Sequence, residues 1–512
     1  MTPKRLLAAL PLLALTAGLA SAAPSKQGGI FRVGTTGASV QIDPQLSYVT
    51  TGWWLEYATA AKLYNYPDKP GQADGFLRPE VAGRVAVSRD GRTYAFTVRK
   101  GSRFSDGSTV TAANFAYAIK RAKDPTLNSP AAAFATNIVS ASAKGGRLVV
   151  RLSRADPLLL TELAMPFFQA TSTRLPLTQE VTTGYPSAGP YYFSRNDVNV
   201  LTSLRKNPYW HGERPRHLDG VDVQWNLNEQ DAYEQTLAGK LDEGPVPAFE
   251  RTALLDRFGI NKTRFWREPI QCMSFITLNN EKGVFAQNAA LRKAFNWAID
   301  RTDYAAGNFA ITPWTHLLSP VTPGSITAKR KQPYSAHSNI VKARALAAGH
   351  LGDGTIKVWY RSSGTLNPQQ AEIVKRDLIR LGFDPAKIVM KGFSGAQIYD
   401  AMGVRGADFD VGVSIGWCSD YPEGSFLAAV LQSANVQNSA LERKVAAASK
   451  LPERQRAAAL GKLDLEIMRN VAPIAPMGYY NNLFFFSSRV DPRSLVYQGA
   501  YQDFSIPALS LR

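Results

Sequence analysis

The order strand, helix, strand between residues 356 and 390 constrains the fold of this chain most strongly. Ile356–Tyr360 and Ile388–Met390 are short apolar runs with the composition of buried strands. Between them, apolar residues recur at helical spacing as far as Gly382, a residue type that commonly ends helices. A connection of this kind joins parallel strands, so the pattern predicts a βαβ unit in an α/β protein with mixed sheets.

A hairpin and a capped helix are predicted nearer the amino terminus. Apolar residues alternate on both sides of Asp90-Gly91, which is typical of two antiparallel strands joined by a tight turn. Thr111 then occupies the position of a helix N-cap, with Phe115 and Ile119 on one helix face. Together with a first strand at Ile30–Val33, these elements indicate a globular protein that mixes helices and strands.

The amino terminus has the pattern of a secretory signal peptide over residues 1–22. Lys4 and Arg5 precede an apolar stretch, and small residues at Ala20–Ala22 suit cleavage before Ala23. The alternative, a membrane anchor, is disfavoured because the stretch is shorter than the ~18 apolar residues that a spanning helix needs. No Cys follows the apolar stretch, so we expect an exported protein, periplasmic or extracellular, without a lipoprotein anchor at that position.

The chain is basic, with 59 Lys and Arg against 41 Asp and Glu in 512 residues, a net charge of +18. The basic residues are dispersed and no nucleic-acid motif accompanies them, so we expect no nucleic-acid partner. A solvated basic surface is the favoured interpretation. Attraction to an anionic cell-wall or membrane surface is the alternative.

The sequence contains no recognisable catalytic or metal-binding motif. A Ser-x-x-Lys spacing at Ser203 to Lys206 lies in a predicted strand, where it cannot form a catalytic pair one helical turn apart. The five histidines lack the spacing of a metal site, and we expect no cofactor. The two cysteines, Cys272 and Cys418, could pair or stay as buried thiols. Several Trp residues in Gly-, Thr- and Ser-rich segments could pack a core or line a cleft.

Six segments of the sequence resemble the family 5 extracellular solute-binding proteins of ABC importers, the receptors for dipeptides, oligopeptides and nickel. The resemblance is long and specific, and it covers nearly the whole mature chain. It rests on the following segments: Val87–Gly101 continuing to Phe115; Ser187–Tyr192; Arg205–Trp210; Leu237–Asp242; Leu278–Asn280 with Leu291–Ala294 and Ala298–Arg301; and Phe409-Asp410 with Gly416–Pro422.

The resemblance implies a two-lobed clamshell with an extra domain in the first lobe. The core domain of the first lobe would comprise residues 29–58, 187–268 and 481–512, the extra domain residues 59–186, and the second lobe residues 272–480. The chain would cross between the lobes near 268–272 and 478–482. Such a receptor would act as a monomer and deliver its solute to the permease subunits of a membrane importer, which would supply the ATP-driven step.

The resemblance also implies a set of ligand-binding residues. In oligopeptide and dipeptide receptors the acid in the Trp-containing motif pairs with the α-amino group of the ligand, and Asp420 matches that position. Cys418 matches a cysteine that some of these receptors join to the start of the second lobe, which favours a Cys272–Cys418 disulfide. Trp417 would line the cleft, with the rest of the motif beside it. The remaining candidates, from the motif and from neighbouring segments, are Gly416, Ser419, Tyr421, Thr35, Thr36, Trp53, Trp54 and Tyr185.

Two departures from the family pattern leave the ligand open. Ser414 stands where the most similar oligopeptide receptors carry a basic residue that meets a peptide carboxylate, and Glu423-Gly424 replaces an acid followed by Pro. We therefore expect a peptide or peptide-like ligand, with an oligosaccharide, an opine-like compound or a metal chelate as the alternative. An exported hydrolase is a third hypothesis, which only the export signal and the basic charge support.

Overall fold

The computed structural model describes residues 27–68, 75–424, 427–436 and 438–512, so the predicted signal peptide lies outside the described residues. The elements are numbered along the chain. The strands are β1 Ile30–Gly34, β2 Tyr64–Asn65, β3 Arg78–Pro79, β4 Ala82–Val87, β5 Thr93–Val98, β6 Ile138–Lys144, β7 Arg147–Leu152, β8 Tyr191–Asp197, β9 Leu201–Lys206, β10 Gly220–Gln224, β11 Glu243–Gly244, β12 Phe265–Leu278, β13 Ile311–Pro313, β14 Ile356–Arg361, β15 Ile388–Phe393, β16 Val411–Cys418, β17 Ile474–Phe486, β18 Tyr497–Gln498 and β19 Asp503–Phe504.

The helices lie between these strands, and short 3₁₀ turns join several of them. The α-helices are α1 Thr50–Thr59, α2 Ala112–Ala122, α3 Leu159–Leu163, α4 Glu229–Leu237, α5 Arg251–Phe258, α6 Ala289–Ala298, α7 Arg301–Ala305, α8 Ile340–Ala347, α9 Leu366–Leu381, α10 Gln397–Gly403, α11 Leu427–Ser433, α12 Ser439–Ser449 and α13 Glu453–Asn470. The 3₁₀ turns are Pro130–Ala135, Pro166–Phe168, Ala248–Glu250, Lys329–Lys331, Pro385–Lys387, Pro492–Ser494 and Ile506–Ala508.

One mixed sheet runs through the molecule in the order β15-β14-β16-β12-β17-β11-β1-β10-β9-β8, with β13 added to β17. Its centre is the antiparallel pair of its two longest strands, β12 and β17. The ladder between them is interrupted between Pro269 and Met273, close to where the sequence predicts the chain to cross between lobes. A separate antiparallel sheet has the order β4-β5-β7-β6.

The buried apolar side chains divide into two regions, one on each side of that interruption. The first core draws its residues from 31–225 and 484–511, with a small neighbouring cluster around Phe265 and Phe485. The second core draws on residues 273–477 in two clusters. Each region therefore buries its own apolar surface, while the domain boundaries given above stay a prediction.

The local elements predicted from sequence are confirmed. Val85 pairs with Phe96 across the predicted hairpin, and Gly91 in its turn has a φ of 67°, which favours glycine. Thr111 and Asn114 form a capping box at the start of α2. The strands β14 and β15 are parallel and joined through α9, as the predicted βαβ unit requires. Among the described residues, no helix is long and apolar enough to cross a membrane.

Candidate functional site

The candidate site is built on the end of β16, which two restraints hold in place. Residues of β16 pair antiparallel with β12, and Cys272 lies directly opposite Cys418 in that ladder. The two cysteines form a disulfide with an S–S distance of 2.01 Å, which confirms the predicted pairing. The chain leaves the sheet after Cys418, and Asp420 follows two residues later. The position of this carboxylate is therefore set by a strand that is both hydrogen-bonded and covalently fixed.

Asp420 contacts a residue of the first core. The hydroxyl of Tyr48 donates a hydrogen bond of 2.5 Å to Oδ1 of Asp420, although 372 positions separate the two residues in sequence. Partial burial and this hydrogen bond both raise the pKa of Tyr48, so its hydroxyl stays protonated and remains a donor. Oδ2 of Asp420 has no hydrogen-bond partner among the described residues and remains able to accept one.

An aromatic cluster supports Tyr48 from behind. The centroid of its ring lies 5.8 Å from Trp53, 6.0 Å from Phe134 and 5.6 Å from Phe167. These are distances at which aromatic pairs stabilise one another. Tyr48 is nevertheless 43% exposed, and Trp417 beside Asp420 is 41% exposed. Two partly exposed aromatic rings, one from each core region, thus accompany the carboxylate.

Further carboxyl groups surround Tyr421, the residue after Asp420. The carboxylates of Glu162, Glu423 and Asp420 each raise the pKa of Tyr421, after burial, which is the largest cause. Burial, together with nearby Asp156, raises the pKa of Glu162 itself to about 8. Glu162 lies on α3, so the first core supplies an acid to this site, and its raised pKa keeps that acid largely protonated near neutral pH. The preference of the site for a cationic group therefore rests on the carboxylate of Asp420 and not on Glu162.

An ion pair ties the segment after the motif to the rest of the protein. Nε of Arg456 on α13 lies 2.7 Å from Oε1 of Glu423, and both side chains are buried. Nη1 of the same arginine also donates to the carbonyl of Pro157, at 3.2 Å, in the region of the first core. Glu423 is thus a structural anchor here, which explains why an acid is retained although Gly424 replaces the family's proline.

The remaining motif residues have structural contacts in this arrangement. The backbone N–H of Ser419 donates to Gln271 at 2.9 Å, and its hydroxyl donates to the carbonyl of Glu423 at 3.4 Å. The backbone N–H of Gly416 donates to the hydroxyl of Tyr399 at 3.3 Å. A Cβ at Gly416 would lie 3.1 Å from the carbonyl of Met273, so a larger residue would crowd the β12–β16 ladder. These contacts place Gly416 and Ser419 beside Asp420 as residues that shape the loop.

Three residues that the sequence suggested as cleft candidates lie in the hydrophobic core. Trp53, Trp54 and Tyr185 are 7%, 3% and 5% exposed. Their polar groups form hydrogen bonds within the protein. The indole N–H groups of Trp53 and Trp54 donate to the carbonyls of Ser47 and Phe504. The hydroxyl of Tyr185 donates to the carbonyl of Ile42. The expectation that these side chains line an open cleft is corrected: they pack the first core, and Trp53 reaches the site only by supporting Tyr48.

The two threonine candidates lie at the end of β1. The backbone N–H of Thr35 donates to Gln224, and its carbonyl accepts from Leu227, so this residue continues the strand pairing of β1 with β10. Thr35 is half-buried and Thr36 is exposed. No hydrogen bond joins either of them to Asp420 or Trp417 in the described part of the chain. Their role in ligand binding stays a prediction.

Sequence reasoning missed Tyr48, Glu162 and a candidate cation, Arg361. Tyr48 lies five residues before Trp53, so the aromatic residues of the sequence indicated the correct segment, but Tyr48 and not Trp53 is the residue that contacts Asp420. Arg361 ends β14, and its Nε is buried without a hydrogen-bond partner among the described residues. Burial raises the pKa of Tyr480, and the nearby charge of Arg361 offsets a part of that rise. Tyr480 lies 3.8 Å from the position of a Cβ at Gly416. No local pattern marks such a residue.

Two cavities lie in the first core region. One of about 820 Å³ is bordered by Tyr48, with Gln41, Leu46, Leu127 and Glu180 among its other lining residues. A second, of about 830 Å³, is lined by residues 65–68, 78–81, 99–103 and 209–215 and includes none of the predicted site residues. Within the described ranges, no three His, Cys, Asp or Glu side chains are grouped closely enough to hold a metal ion.

Comparison with known proteins identifies the family. The profile described as "Bacterial extracellular solute-binding proteins, family 5 Middle" matches residues 77–439, which is well over half of the chain. The chain belongs to this family. It is a mixed α/β protein with the two-lobed architecture of periplasmic binding proteins, and the family and its relatives are binding proteins.

Individual relatives of this solute-binding protein are distant in sequence and close in fold. It is 25% identical over 446 residues to a dipeptide-binding protein of Lactococcus lactis subsp. cremoris, covering 76% of this chain and 78% of the other. It is 29% identical over 255 residues to the oligopeptide-binding protein OppA of Bacillus subtilis, covering 45% of this chain and 46% of that protein, so this alignment spans about half of either. The unliganded open form of the murein tripeptide binding protein MppA superposes with a TM-score of 0.81 at 21% identity, over 95% of this chain and 98% of that one.

Proposed function

We propose that this solute-binding protein captures a peptide or peptide-like solute between its two lobes and delivers it to the permease subunits of an ABC importer. The observation that carries the proposal is the contact of Asp420 with Tyr48, which joins the two core regions at the position where the family motif predicts the ligand's amino group. The names of the relatives, dipeptide- and oligopeptide-binding proteins, support a peptide as the ligand.

The lobes correspond in this proposal to the two cores. The first lobe comprises residues 29–58, 187–268 and 481–512 with the extra domain 59–186, and the second comprises residues 272–480. The paired strands β12 and β17 run from one to the other, and the interrupted pairing between Pro269 and Met273 supplies the hinge. The open and closed forms differ by a few kcal/mol, so a solute that touches both lobes favours the closed form.

Asp420 binds the α-amino group of the solute. Oδ1 accepts the hydroxyl of Tyr48, and Oδ2 has no hydrogen-bond partner among the described residues, so an ammonium group can form a charge-assisted hydrogen bond without displacing Tyr48. The partly exposed ring of Trp417 packs against the apolar part of the solute. Gly416, Ser419, Tyr421, Thr35 and Thr36 complete the proposed contact set.

Arg361 meets the carboxylate of the solute in this proposal. The family's basic residue is replaced by Ser414, which is buried and donates a hydrogen bond of 2.9 Å to Gln370. Arg361 ends the neighbouring strand of the same sheet, and its Nε lacks a hydrogen-bond partner among the described residues. Arg361 is half-buried, and a guanidinium forms paired, charge-assisted hydrogen bonds with a carboxylate.

The protein works by binding, as a monomer, and not by turnover. Cleavage of residues 1–22 releases the mature chain outside the cytoplasm, without a lipid anchor. The membrane importer recognises the closed form and supplies the energy for transport. An oligosaccharide is the second candidate ligand, because the partly exposed rings of Tyr48 and Trp417 offer apolar faces to a sugar.

Mass spectrometry of small molecules released by denaturing the purified mature protein tests this proposal. We expect a series of short peptides. Release of a single sugar, opine or metal chelate would leave the receptor role intact and show that the ligand is not a peptide. If nothing is released, a thermal-shift screen of peptides, sugars and chelates decides, since a ligand that binds only the folded state raises the unfolding temperature. Hydrolysis of a peptide or ester panel that one Ser or Asp substitution abolishes would contradict the receptor role.

A further inference from the structure

The positive charge of the chain is concentrated in one stretch around the four-stranded sheet. Residues 82–156 contain thirteen Lys or Arg against four Asp and no Glu, which is half of the net charge of the whole chain, +18, in about a seventh of its length. The sequence alone suggested a dispersed charge because the residues are separated along the chain. Lys120, Arg121 and Lys123 belong to α2 and its end, and Arg121 is buried in an ion pair with Asp43. The other ten lie on β4, β6 and β7, in the turn between β4 and β5, or in the segments that follow β5 and β7.

One face of this sheet is buried and the other is open. Phe96, Leu148 and Val150 point into the first core, and α2 packs against β6 and β7 on that side. The residues between them point outward, and no described element covers them. We call this outward side the basic sheet face. By strand alternation and register it comprises Ala86, Thr93, Ala95, Thr97, Ser140, Ser142, Lys144, Arg147, Val149 and Arg151.

The basic sheet face has cations at both ends and small side chains in the middle. Lys144 lies opposite Arg147 in the register, and Arg151 lies at the other end of the same strand, about 13 Å away at 3.4 Å per residue. Arg89 and Lys100, which flank the β4–β5 hairpin, add one exposed cation to each end. The face carries no carboxylate and no aromatic ring.

Five of these cations are unpaired in the part of the chain that the structure describes. The side chains of Arg89, Lys100, Lys144, Arg147 and Arg151 form no hydrogen bond or ion pair in the described part of the chain. The four aspartates of the stretch accept hydrogen bonds from residues close to them in sequence. Asp90, for example, accepts hydrogen bonds from Ser88 and Arg92 within the hairpin turn. The positive potential of the face is therefore not neutralised by the protein itself.

We propose that the basic sheet face docks this solute-binding protein onto an anionic phospholipid membrane. A flat face about 15 Å across, with cations at two separated ends, can contact several headgroup phosphates at once. Lys100 also lines the cavity of about 830 Å³, but Lys144, Arg147 and Arg151 do not. The face lacks the aromatic rings on which single-stranded nucleic acid stacks. Such docking keeps the receptor near a membrane importer and is independent of which solute it binds.

Vesicle co-sedimentation of the mature protein tests the proposal. The vesicles are phosphatidylcholine with or without one third phosphatidylglycerol. The face variant K144Q/R147Q/R151Q is compared with K329Q/R330Q/K331Q, which removes the same charge from an exposed 3₁₀ turn in the region of the second core. Because the substituted side chains have no partners, both variants should keep the wild-type unfolding temperature.

We expect wild-type protein and the control variant to bind the anionic vesicles, and the face variant to bind them about 10- to 100-fold more weakly. Wild-type binding should fall as salt rises from 50 to 300 mM, and neutral vesicles should bind none of the three proteins. Equal losses in the two variants, equal binding to neutral vesicles, or binding to soluble polyphosphate but not to vesicles would each overturn the proposal.

Discussion

The two halves of the candidate site are held in different ways. Trp417 and Asp420 follow a strand that a ladder and a disulfide fix to β12. Tyr48 lies in a loop before α1, where the packing of its ring on Trp53, Phe134 and Phe167 and its hydrogen bond to Asp420 position it. One half is thus determined by the backbone and the other by tertiary contacts. This difference explains which half a sequence motif can find, and it predicts how each half responds to substitution.

The largest effect is expected at the carboxylate of the fixed half. Asp420→Asn should weaken binding of a peptide with a free amino terminus about 30- to 1000-fold, because the bound ammonium loses its charged partner. Isothermal titration calorimetry measures the loss. Asp408→Asn is the matched control, since this exposed acid of the same lobe contacts only Lys357. Equal losses of affinity in both variants would mean that the net charge of the protein, and not a specific contact with Asp420, attracts the peptide.

The disulfide of the fixed half should contribute strongly to stability. It closes a loop of 146 residues, so replacing Cys272 and Cys418 by Ser should lower the free energy of unfolding by about 2–4 kcal/mol. Urea denaturation with and without a reducing agent checks this value. The reduced wild type should match the double variant. Two reactive thiols in the denatured, unreduced protein would contradict the bond itself.

The buried carboxyl group of Glu162 should make the free energy of unfolding depend on pH. Its pKa is raised to about 8, above the usual value of 4.5, so the folded state holds this proton more tightly than the unfolded state. The stabilising contribution is complete below pH 4.5 and is lost as the pH rises towards 8. The free energy of unfolding of the wild type should therefore fall by about 1–3 kcal/mol between pH 5 and pH 8 because of Glu162. Glu162→Gln should lack this fall.

The comparison variant for this measurement is Glu229→Gln, an exposed acid at the start of α4. It should leave the decline unchanged. Urea denaturation at several pH values gives both curves. A steeper decline in Glu162→Gln than in the wild type would show that the environment of Glu162 favours its charged form, contrary to the burial described here.

The smallest effect is expected in the half that packing positions. Tyr48→Phe removes the hydroxyl that holds Oδ1 of Asp420 and keeps the ring, so peptide affinity should fall about 3- to 10-fold. Tyr209→Phe is the control, because this exposed hydroxyl forms no hydrogen bond in the described residues. A rise in affinity for Tyr48→Phe would mean that the hydroxyl competes with the solute for the carboxylate.

The sequence was sufficient for the elements whose patterns are local. The alternation around Asp90-Gly91 and the cap at Thr111 depend on neighbouring residues, and both are confirmed. The family motif likewise predicted the disulfide, which is confirmed, while the ligand-binding role that the motif gives Asp420 stays a prediction. It could not assign Trp54 or Tyr185, because an aromatic residue in a polar segment fits a core and a cleft equally well. Their burial depends on residues such as Phe504, 450 positions away from Trp54.

Tyr48 and Arg361 show what sequence alone does not contain. Tyr48 contacts Asp420 across 372 positions of sequence, and the role proposed for Arg361 depends on its place at the end of the strand beside β16. The basic sheet face is partly such a case: Lys144, Arg147 and Arg151 are close in sequence, but the pairing of β5 with β7 brings Arg89 and Lys100 to them. In each case the informative property is a distance between segments, which no local pattern reports.

The central claim, that Asp420 binds the amino terminus of a peptide, is tested most directly by a cycle of titrations. Wild type and Asp420→Asn are each titrated with one peptide and with its N-acetylated form. We predict that acetylation weakens binding to the wild type at least 30-fold and has little effect on Asp420→Asn. Equal losses on acetylation in both proteins would contradict the claim, because the amino group would then be recognised elsewhere.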